Sequence, residues 1–191
     1  MDNISILINM MEFVISMMIR LRDYSHELEQ NAIHDQLTGC KNRTALAWAY
    51  NNDFDASQSV GIVMCDLNGL KRMNDSKGHL AGDQYICDAA KILCDCFGSE
   101  NVYRIGGDEF AVFGYDYSED KAKQYTENFL QYLKDFNADS SLPYCVNASF
   151  GYTISDPSLS ISREQYMKAS DDLLYQNKRK RKEKYGNLSQ R

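Results

Sequence analysis

The first thirty residues carry an apolar pattern that differs from the rest of the chain. Mostly apolar side chains recur four and three residues apart, at Leu7, Met11, Val14, Met18, Leu21, Ser25 and Leu28. This heptad spacing predicts a helix over residues 1–30 that faces a partner, as in a parallel coiled coil. Packing on the domain and membrane association stay open as less favoured alternatives. The apolar stretch 4–19 is interrupted by Asn9 and Glu12, and it is shorter than the roughly 20 residues that cross a bilayer.

The remaining pattern alternates between helix-like and strand-like segments. The predicted elements are a helix after Asn42 that ends near residues 51–52, a strand over 60–65 that ends at Asp66, a helix over 84–97, strands over 102–105 and 110–113 joined by a glycine turn, a helix over 118–136, a strand over 144–154 and a last helix from Ser162. Residues 67–83 are polar and turn-rich. This order predicts an α/β (α+β) fold, a ferredoxin-like palm whose antiparallel-centred sheet is flanked by helices, rather than a doubly wound parallel sheet.

Length and composition limit the domain count and the class of partner. A chain of 191 residues with 43% hydrophobic residues can build one domain, placed at 31–185, with residues 186–191 as a tail. A net charge of -6 argues against broad nucleic-acid binding, so that a nucleotide site would need local cations or a metal. The six cysteines are scattered, without a CxxC pair or a secretory signal. They are therefore predicted to be reduced, in a cytoplasmic protein or the cytoplasmic part of a larger, membrane-linked sensor.

The segment Arg104–Phe110 places two glycines beside two carboxylates at a hairpin turn. Glycines let a ligand approach the backbone, and carboxylates bind hard cations. Considered alone, the turn is better explained as a tight turn with solvated acids. Asp66 changes this interpretation, because it ends an apolar strand and would lie beside the hairpin. Carboxylates from two strands form a plausible two-metal site for phosphoryl transfer.

Four motifs in order resemble the GGDEF family of diguanylate cyclases. They are DxLTGxxNR at 35–43, the segment Asp66–Lys71 with Asn74-Asp75, GHxxGD at 78–83, and the sequence GGDEF itself at 106–110. The resemblance extends over residues 35–182. It implies an enzyme that condenses two GTP molecules into cyclic di-GMP and releases two pyrophosphates. It also implies a homodimer that is required for catalysis, with one GTP bound to each chain.

The resemblance also implies roles for residues at the metal site. Asp66, the backbone carbonyl of Leu67, and Asp108 would bind two magnesium ions per active site, with manganese as an alternative. Asp108 is also the candidate base for the attacking 3′-hydroxyl. Lys71 would stabilise charge on the phosphates, and Glu109 would be a secondary acid.

Further residues would bind the nucleotide. Asn74 and Asp83 would recognise the guanine edge, since an amide donates and accepts while a carboxylate accepts from two guanine nitrogens. His79 lies between them and either contacts the nucleotide or stabilises the turn. Lys178 and Lys182 are four residues apart on the last helix and could reach the triphosphate, or they belong to a solvated basic tail.

Asn68, Phe97 and Glu100 depart from the family pattern. Asn68 stands where a second aspartate is common, which is tolerable because the implied metal contacts fall on the two preceding residues. Phe97 and Glu100 stand where the family's product-inhibition site has arginine and aspartate. Phenylalanine cannot supply a guanidinium group, and the sequence therefore predicts no feedback inhibition through that site.

Three rival functions follow from the same residues. The first is a non-catalytic GTP- or cyclic-dinucleotide-binding regulator, which predicts that a metal acid, Lys71 or a guanine-reading residue is lost, and none is. The second is a cyclase for a mixed purine dinucleotide, against which Asp83 argues. The third is a structural dimerisation module that would bind no GTP.

Overall fold

The computed structural model describes residues 3–52, 58–115, 117–138 and 143–154, and the helical positions Gln165, Lys168, Asp172, Tyr175 and Gln176. The helices are α1 (Asn3–Ile33), α2 (Arg43–Asn52), α3 (Leu70–Lys77), α4 (His79–Phe97) and α5 (Glu119–Asn137). The strands are β1 (Lys41–Asn42), β2 (Val60–Leu67), β3 (Val102–Arg104), β4 (Glu109–Tyr115) and β5 (Ala148–Ile154). The predicted last helix from Ser162 falls largely outside the described residues.

The five strands form one mixed sheet in the order β1-β3-β4-β2-β5. The β3–β4 hairpin and both neighbours of β2 pair antiparallel, and β1 alone pairs parallel to its neighbour. The hairpin strand β4 is therefore central. The predicted α+β class with an antiparallel-centred sheet and flanking helices is confirmed.

Helices cover both faces of this sheet, which explains why β2 is a continuous apolar run. Alternate β2 residues such as Ile62 and Met64 pack with α2, while Val63 and Cys65 pack with α4 and α5. Every residue of β2 is buried, including the acid near its end. The register of β2 against β4 pairs Ile62 with Phe113 and Asp66 with Glu109.

Asn42 joins the end of α1 to the start of α2. Its side-chain amide donates to the backbone carbonyls of Ala32 and His34 at 2.9 and 3.3 Å. Its side-chain oxygen accepts from the backbone N–H of Ala45 at 3.0 Å, which caps α2. One side chain thus ties the last turn of α1 to the first turn of α2.

Helix α1 confirms the predicted N-terminal helix, but its apolar surface is wider than a heptad stripe. Large apolar residues outside the heptad positions are also about half exposed or more, at Ile6, Ile8, Met10, Phe13, Ile15, Met17 and Ile19. Within the described residues, α1 is the one helix whose length and apolar composition would suffice to cross a membrane. The helix therefore offers apolar side chains around most of its circumference.

The presence of α3 and the starts of α4 and β5 differ from the sequence prediction. Residues 67–83, expected to be turn-rich, contain α3 and the first turn of α4, which begins at His79 rather than 84. Helix α3 has only two apolar residues, Leu70 and Met73, which pack partly buried against the core, and two positions are too few to show a helical period. The last described strand begins at Ala148 rather than 144, because the side chain of Asn137 holds the backbone of Val146 at 2.7 and 2.8 Å in place of a strand neighbour.

Candidate active site

Asp66 and the acidic turn lie on adjacent strands, as the sequence predicts. Asp66 pairs directly with Glu109 across β2 and β4, so that both side chains leave the same face of the sheet. The backbone N–H of Leu67 donates to the carbonyl of Asp108 at 2.8 Å. Asp66 is 9% exposed, whereas Asp108 and Glu109 are half-buried. The predicted acids therefore meet at one edge of the sheet.

The two glycines of the turn differ in their surroundings. A Cβ on Gly106 would lie 2.8 Å from the carboxylate oxygen Oε2 of Glu109, whereas a Cβ on Gly107 would meet no atom within 4 Å. The first glycine therefore makes room for the Glu109 side chain. The second leaves open space beside Asp108, where a ligand can approach the backbone.

Arg104 connects this turn to the segment that follows α1. Its guanidinium donates to the Asp35 carboxylate at 2.9 Å and to the carbonyl of Gly107 at 2.9 Å. The Arg104 and Asp35 side chains are only 12% and 24% exposed. No role for this pair is evident from the sequence, in which the one local signal is the Asp35–Thr38 spacing, which suits a side-chain turn. Thr38 indeed donates to Asp35 through its backbone N–H and its hydroxyl.

The charge of Asp35 should contribute to stability in a pH-dependent way. Burial by itself raises the pKa of Asp35, but the hydrogen bonds from Thr38 and Arg104 outweigh it and hold the pKa below its ordinary value. A lowered folded pKa stabilises the fold above the unfolded pKa of about 4, and that stabilisation is lost as the pH falls through the folded value. We expect Asp35→Asn to lower the free energy of unfolding by about 2 kcal/mol at pH 7.

Urea unfolding of both proteins at pH 7 and at pH 3 measures this difference. The difference in free energy of unfolding between wild type and Asp35→Asn should be smaller at pH 3 than at pH 7. The control is Asp95→Asn, at an exposed acid on α4, which should have little effect at either pH. A gap of equal size at both pH values would contradict the assigned charge interaction.

Asn68 is engaged in holding the end of β2. Its side chain exchanges hydrogen bonds with the Ser149 hydroxyl at 3.2 Å. The backbone carbonyl of Asn68 accepts from the Tyr85 hydroxyl at 2.8 Å, and the backbone N–H of Asn68 donates to the carbonyl of Asn147 at 2.7 Å. An amide at this position therefore has a structural use.

Helix α3 starts three residues after β2 and carries two predicted site residues. Gly69 precedes it with φ of 86°, and no side chain caps the first turn. Lys71 is exposed and Asn74 is half-buried. A spacing of three residues places them on one helix face, roughly 4.5 Å apart along the axis. The uncapped N–H groups and the nearby lysine make this helix start favourable for an anion.

The side chain of Asn74 lies directly over Gly82 in the first turns of α4. A Cβ on Gly82 would come within 1.8 Å of the Asn74 side-chain oxygen, so only glycine allows this approach. Asp83 is the next residue, and both it and His79 are exposed. The structure thus brings Asn74 close to the start of α4, where Asp83 and His79 also lie. In the sequence, Gly82 is recognisable as part of the GHxxGD motif, but its close contact with Asn74 is not.

Some predicted features cannot be placed. Lys178 and Lys182 lie outside the described residues. Within the described ranges, no group of three or more His, Cys, Asp or Glu side chains is arranged to hold a metal ion. The predicted site needs two carboxylates and a backbone carbonyl, with the remaining positions left for substrate oxygens and water.

Known proteins resemble this chain over most of its length. Residues 32–184 match the family described as diguanylate cyclase, GGDEF domain. The chain belongs to the GGDEF family. Diguanylate cyclase DgcN of Escherichia coli is 32% identical over 172 residues, a match that covers 87% of this chain and 42% of DgcN. Cyclic di-GMP phosphodiesterase PdeB of Shewanella oneidensis is 29% identical over 161 residues, covering 78% of this chain and 19% of PdeB.

Among solved structures, the fold is similar to the coiled coil and GGDEF domain of DgcB from Caulobacter crescentus in complex with c-di-GMP. The TM-score is 0.76 at 22% identity, and the match covers 91% of this chain and 94% of that one. This GGDEF chain spans less than half the length of the two sequence relatives named above. The chain is thus similar both to a diguanylate cyclase and to a cyclic di-GMP phosphodiesterase, and this similarity does not distinguish the two activities.

Proposed function

We propose that this GGDEF chain is a diguanylate cyclase that condenses two GTP molecules into cyclic di-GMP and two pyrophosphates. The proposal depends chiefly on one juxtaposition, in which Asp66 on β2 lies opposite Glu109 and its neighbour Leu67 is hydrogen-bonded to Asp108. The start of α3, with Lys71, follows within a few residues. We assign catalysis to a domain over residues 31–185 and leave 186–191 as a tail, which the family match over 32–184 supports.

The donor set suits a hard divalent cation. Asp66 and Asp108 offer carboxylate oxygens and Leu67 offers a carbonyl, which are the ligands that magnesium prefers, with manganese as an alternative. We assign two such ions to each active site. When bound, they would neutralise phosphate charge and polarise the attacking and leaving oxygens. The closeness of these groups and the open space at Gly107 support this assignment.

The chain's own residues would then carry the reaction. Asp108 accepts the proton of the 3′-hydroxyl of one GTP, and the resulting oxygen attacks the α-phosphorus of the other GTP. The bond from that phosphorus to the bridging oxygen of pyrophosphate breaks, and pyrophosphate leaves. Lys71 and the uncapped start of α3 stabilise the phosphate charge, and Glu109 supports the acidic site. Lys178 and Lys182 are assigned to the triphosphate on sequence grounds alone.

Guanine recognition is assigned to the junction of α3 and α4. Asn74 offers an amide donor and acceptor, and Asp83 can accept from the guanine N1 and exocyclic amine. His79 is exposed in the first turn of α4 and would contact the nucleotide. Leu80 is 86% exposed beside it, which provides apolar surface for a base. This set of donors and acceptors favours guanine over adenine.

Each chain would bind one of the two GTP molecules that react, so two chains must face each other. Helix α1 has the length and the apolar surface to pair with a second copy, and the similar DgcB structure includes a coiled coil. Because the apolar surface of α1 extends beyond one heptad stripe, its interface should be wider than a two-stranded seam. We assign the domain to the cytoplasm, where GTP is available, and membrane association of residues 4–19 is the less favoured alternative.

Incubating the purified protein with GTP and magnesium, and identifying the product by mass, tests the proposal directly. Cyclic di-GMP with two pyrophosphates per product supports it. GTP binding without product would instead indicate a regulatory binding module, and the absence of GTP binding would indicate a structural dimerisation module. Supplying ATP together with GTP distinguishes a mixed purine cyclase.

Gly82→Ala should weaken GTP binding without unfolding the domain. The new Cβ would displace the Asn74 side chain, and this free end can swing away at little cost. Loss of its contact with guanine should raise the KM for GTP about tenfold, with little change in kcat or melting temperature. Initial rates over a range of GTP concentrations give both constants.

Two further variants control this experiment. Ala81→Gly alters helix propensity at the neighbouring position without the clash and should have a smaller effect on KM. Combining Gly82→Ala with Asn74→Ala should be no worse than Asn74→Ala alone, since both changes remove the same contact. Fully additive effects would show that Gly82 does not act through Asn74.

Product inhibition through the Phe97–Glu100 segment should be absent. Phe97 is 7% exposed and packs against the rings of Tyr125 and Phe129, with centroids 5.4 and 6.1 Å away. Its side chain belongs to the core and offers no charge to a ligand. Initial rates should therefore be unchanged by added cyclic di-GMP at micromolar concentration. Tight inhibition at submicromolar cyclic di-GMP would refute this prediction.

A further inference from the structure

Two cysteine sulfurs meet where the turn after α1 packs on α4. The Sγ atoms of Cys40 and Cys94 are 3.7 Å apart, although 54 positions separate the residues in sequence. Both are free thiols, Cys40 buried and Cys94 half-buried. A disulfide bond measures about 2.05 Å, so the sulfurs would have to approach by roughly 1.7 Å. A small rotation of each side chain can supply that movement.

The surroundings of this pair favour ionisation of one thiol. The hydrogen bond from the Cys94 thiol lowers the pKa of Cys40 against the effect of burial. Sharing that proton raises the pKa of Cys94, and burial adds to the rise. A thiolate is the reactive form of cysteine, and a neighbouring thiol can resolve the first oxidation product.

The other cysteines near this helix are placed less favourably. Burial raises the pKa of Cys96 to about 11, and its sulfur contacts the carbonyl of Tyr125 instead of a second thiol. The Cys87 thiol donates to the carbonyl of Leu37 at 3.3 Å, so α4 already contacts the same turn through one polar bond. A covalent bond seven residues further along the helix would be a second point of attachment.

We propose that Cys40 and Cys94 are a redox modification site, at which a peroxide forms a reversible disulfide that fastens the turn after α1 to helix α4. The Cys40 thiolate attacks one oxygen of hydrogen peroxide, the O–O bond breaks, and the departing hydroxide takes a proton to become water. The sulfur of Cys94, losing its proton, then attacks the Cys40 sulfenic acid. The S–O bond breaks and a second water leaves. Two thiols are oxidised by two electrons, and one peroxide is reduced to two waters.

The expected consequence is a tighter connection between α1 and the domain. The same turn holds Asp35, whose partner Arg104 contacts the Gly107 carbonyl. Fixing Cys40 therefore limits movement of the turn on which this ion pair depends. A reduced resting state agrees with the sequence-based expectation of reduced cysteines, since cytosolic disulfides are mostly transient. The inference does not depend on the proposed cyclase activity.

Peptide mapping tests the site in the full chain carrying Cys145→Ser, which removes an exposed cysteine that could link two molecules. After hydrogen peroxide treatment and alkylation of free thiols, trypsin should release peptides 23–41 and 92–104 joined through Cys40 and Cys94. Dithiothreitol should separate them. The oxidised protein should also melt at a higher temperature than the reduced protein.

Matched variants identify the cysteine that forms the disulfide with Cys40. Cys96→Ser should keep the link, and Cys94→Ser should lose both the link and the rise in melting temperature. Fragmentation of the linked peptides distinguishes Cys94 from Cys96 without any substitution at either position, so the result does not depend on how a variant folds. Absence of the linked peptide after peroxide treatment, or a link through Cys96, would overturn the proposal.

Discussion

Replacing Asp108 with asparagine is expected to lower the rate of cyclic di-GMP formation about a thousandfold. The asparagine keeps the shape of the turn but removes the negative charge and the proton acceptor. Because the carbonyl of Asp108 binds the N–H of Leu67 through the backbone, the contact between β2 and the hairpin should survive. The variant should therefore fold normally and fail in chemistry.

Product formation measured by mass, together with melting temperature, separates these effects. Asp66→Asn should show a loss of similar size, since both acids would hold the same cations. Asp95→Asn on the exposed surface of α4 is the matched control and should keep full activity. Turnover within a few-fold of wild type in Asp108→Asn would rule out its role as metal ligand and base.

Removing residues 1–31, which hold all but the last two residues of α1, should lower turnover per chain about a hundredfold at micromolar protein. A short tether holds two domains at an effective concentration near the millimolar range, and free domains at micromolar concentration meet far less often. GTP binding to each domain should be almost unchanged. Turnover of the shortened chain should rise with protein concentration, as expected for two domains that must collide.

A coiled coil of unrelated sequence fused before residue 32 should restore activity if α1 acts by pairing. Analytical ultracentrifugation of the intact chain gives its oligomeric state, and binding to lipid vesicles tests the membrane alternative. Equal turnover with and without α1 at every dilution would contradict a dimerising role. Vesicle binding by a monomeric intact chain would favour the membrane instead.

The sequence marks the acids of the candidate site more clearly than the short helix and strand beside them. Asp66 stood out because it ends an apolar run, and the hairpin stood out because glycines punctuate it. Helix α3 could not be predicted from periodicity, because only Leu70 and Met73 among its eight residues are apolar. Strand β1 has only two residues, which is too short for any alternation to appear.

Contacts between segments that are far apart in the chain could not be predicted from the sequence either. Arg104 and Asp35 are 69 residues apart, and no local pattern couples them. The close fit of Asn74 over Gly82 depends on the angle between two helices. That angle is set by packing, not by spacing along the chain. Motif residues can therefore be identified individually from the sequence. The long-range contacts that position them are seen only in the folded structure.

The Asn42 joint has a consequence for how the domain could receive a signal. Helix α1 is 31 residues long, or about 46 Å at 1.5 Å per residue. The Asn42 side chain binds both the last turn of α1 and the first turn of α2. A rotation of α1 about its axis would therefore be transmitted to α2. A loose hinge at this point would absorb the same twist. The orientation of α1 is therefore coupled to that of α2 through Asn42.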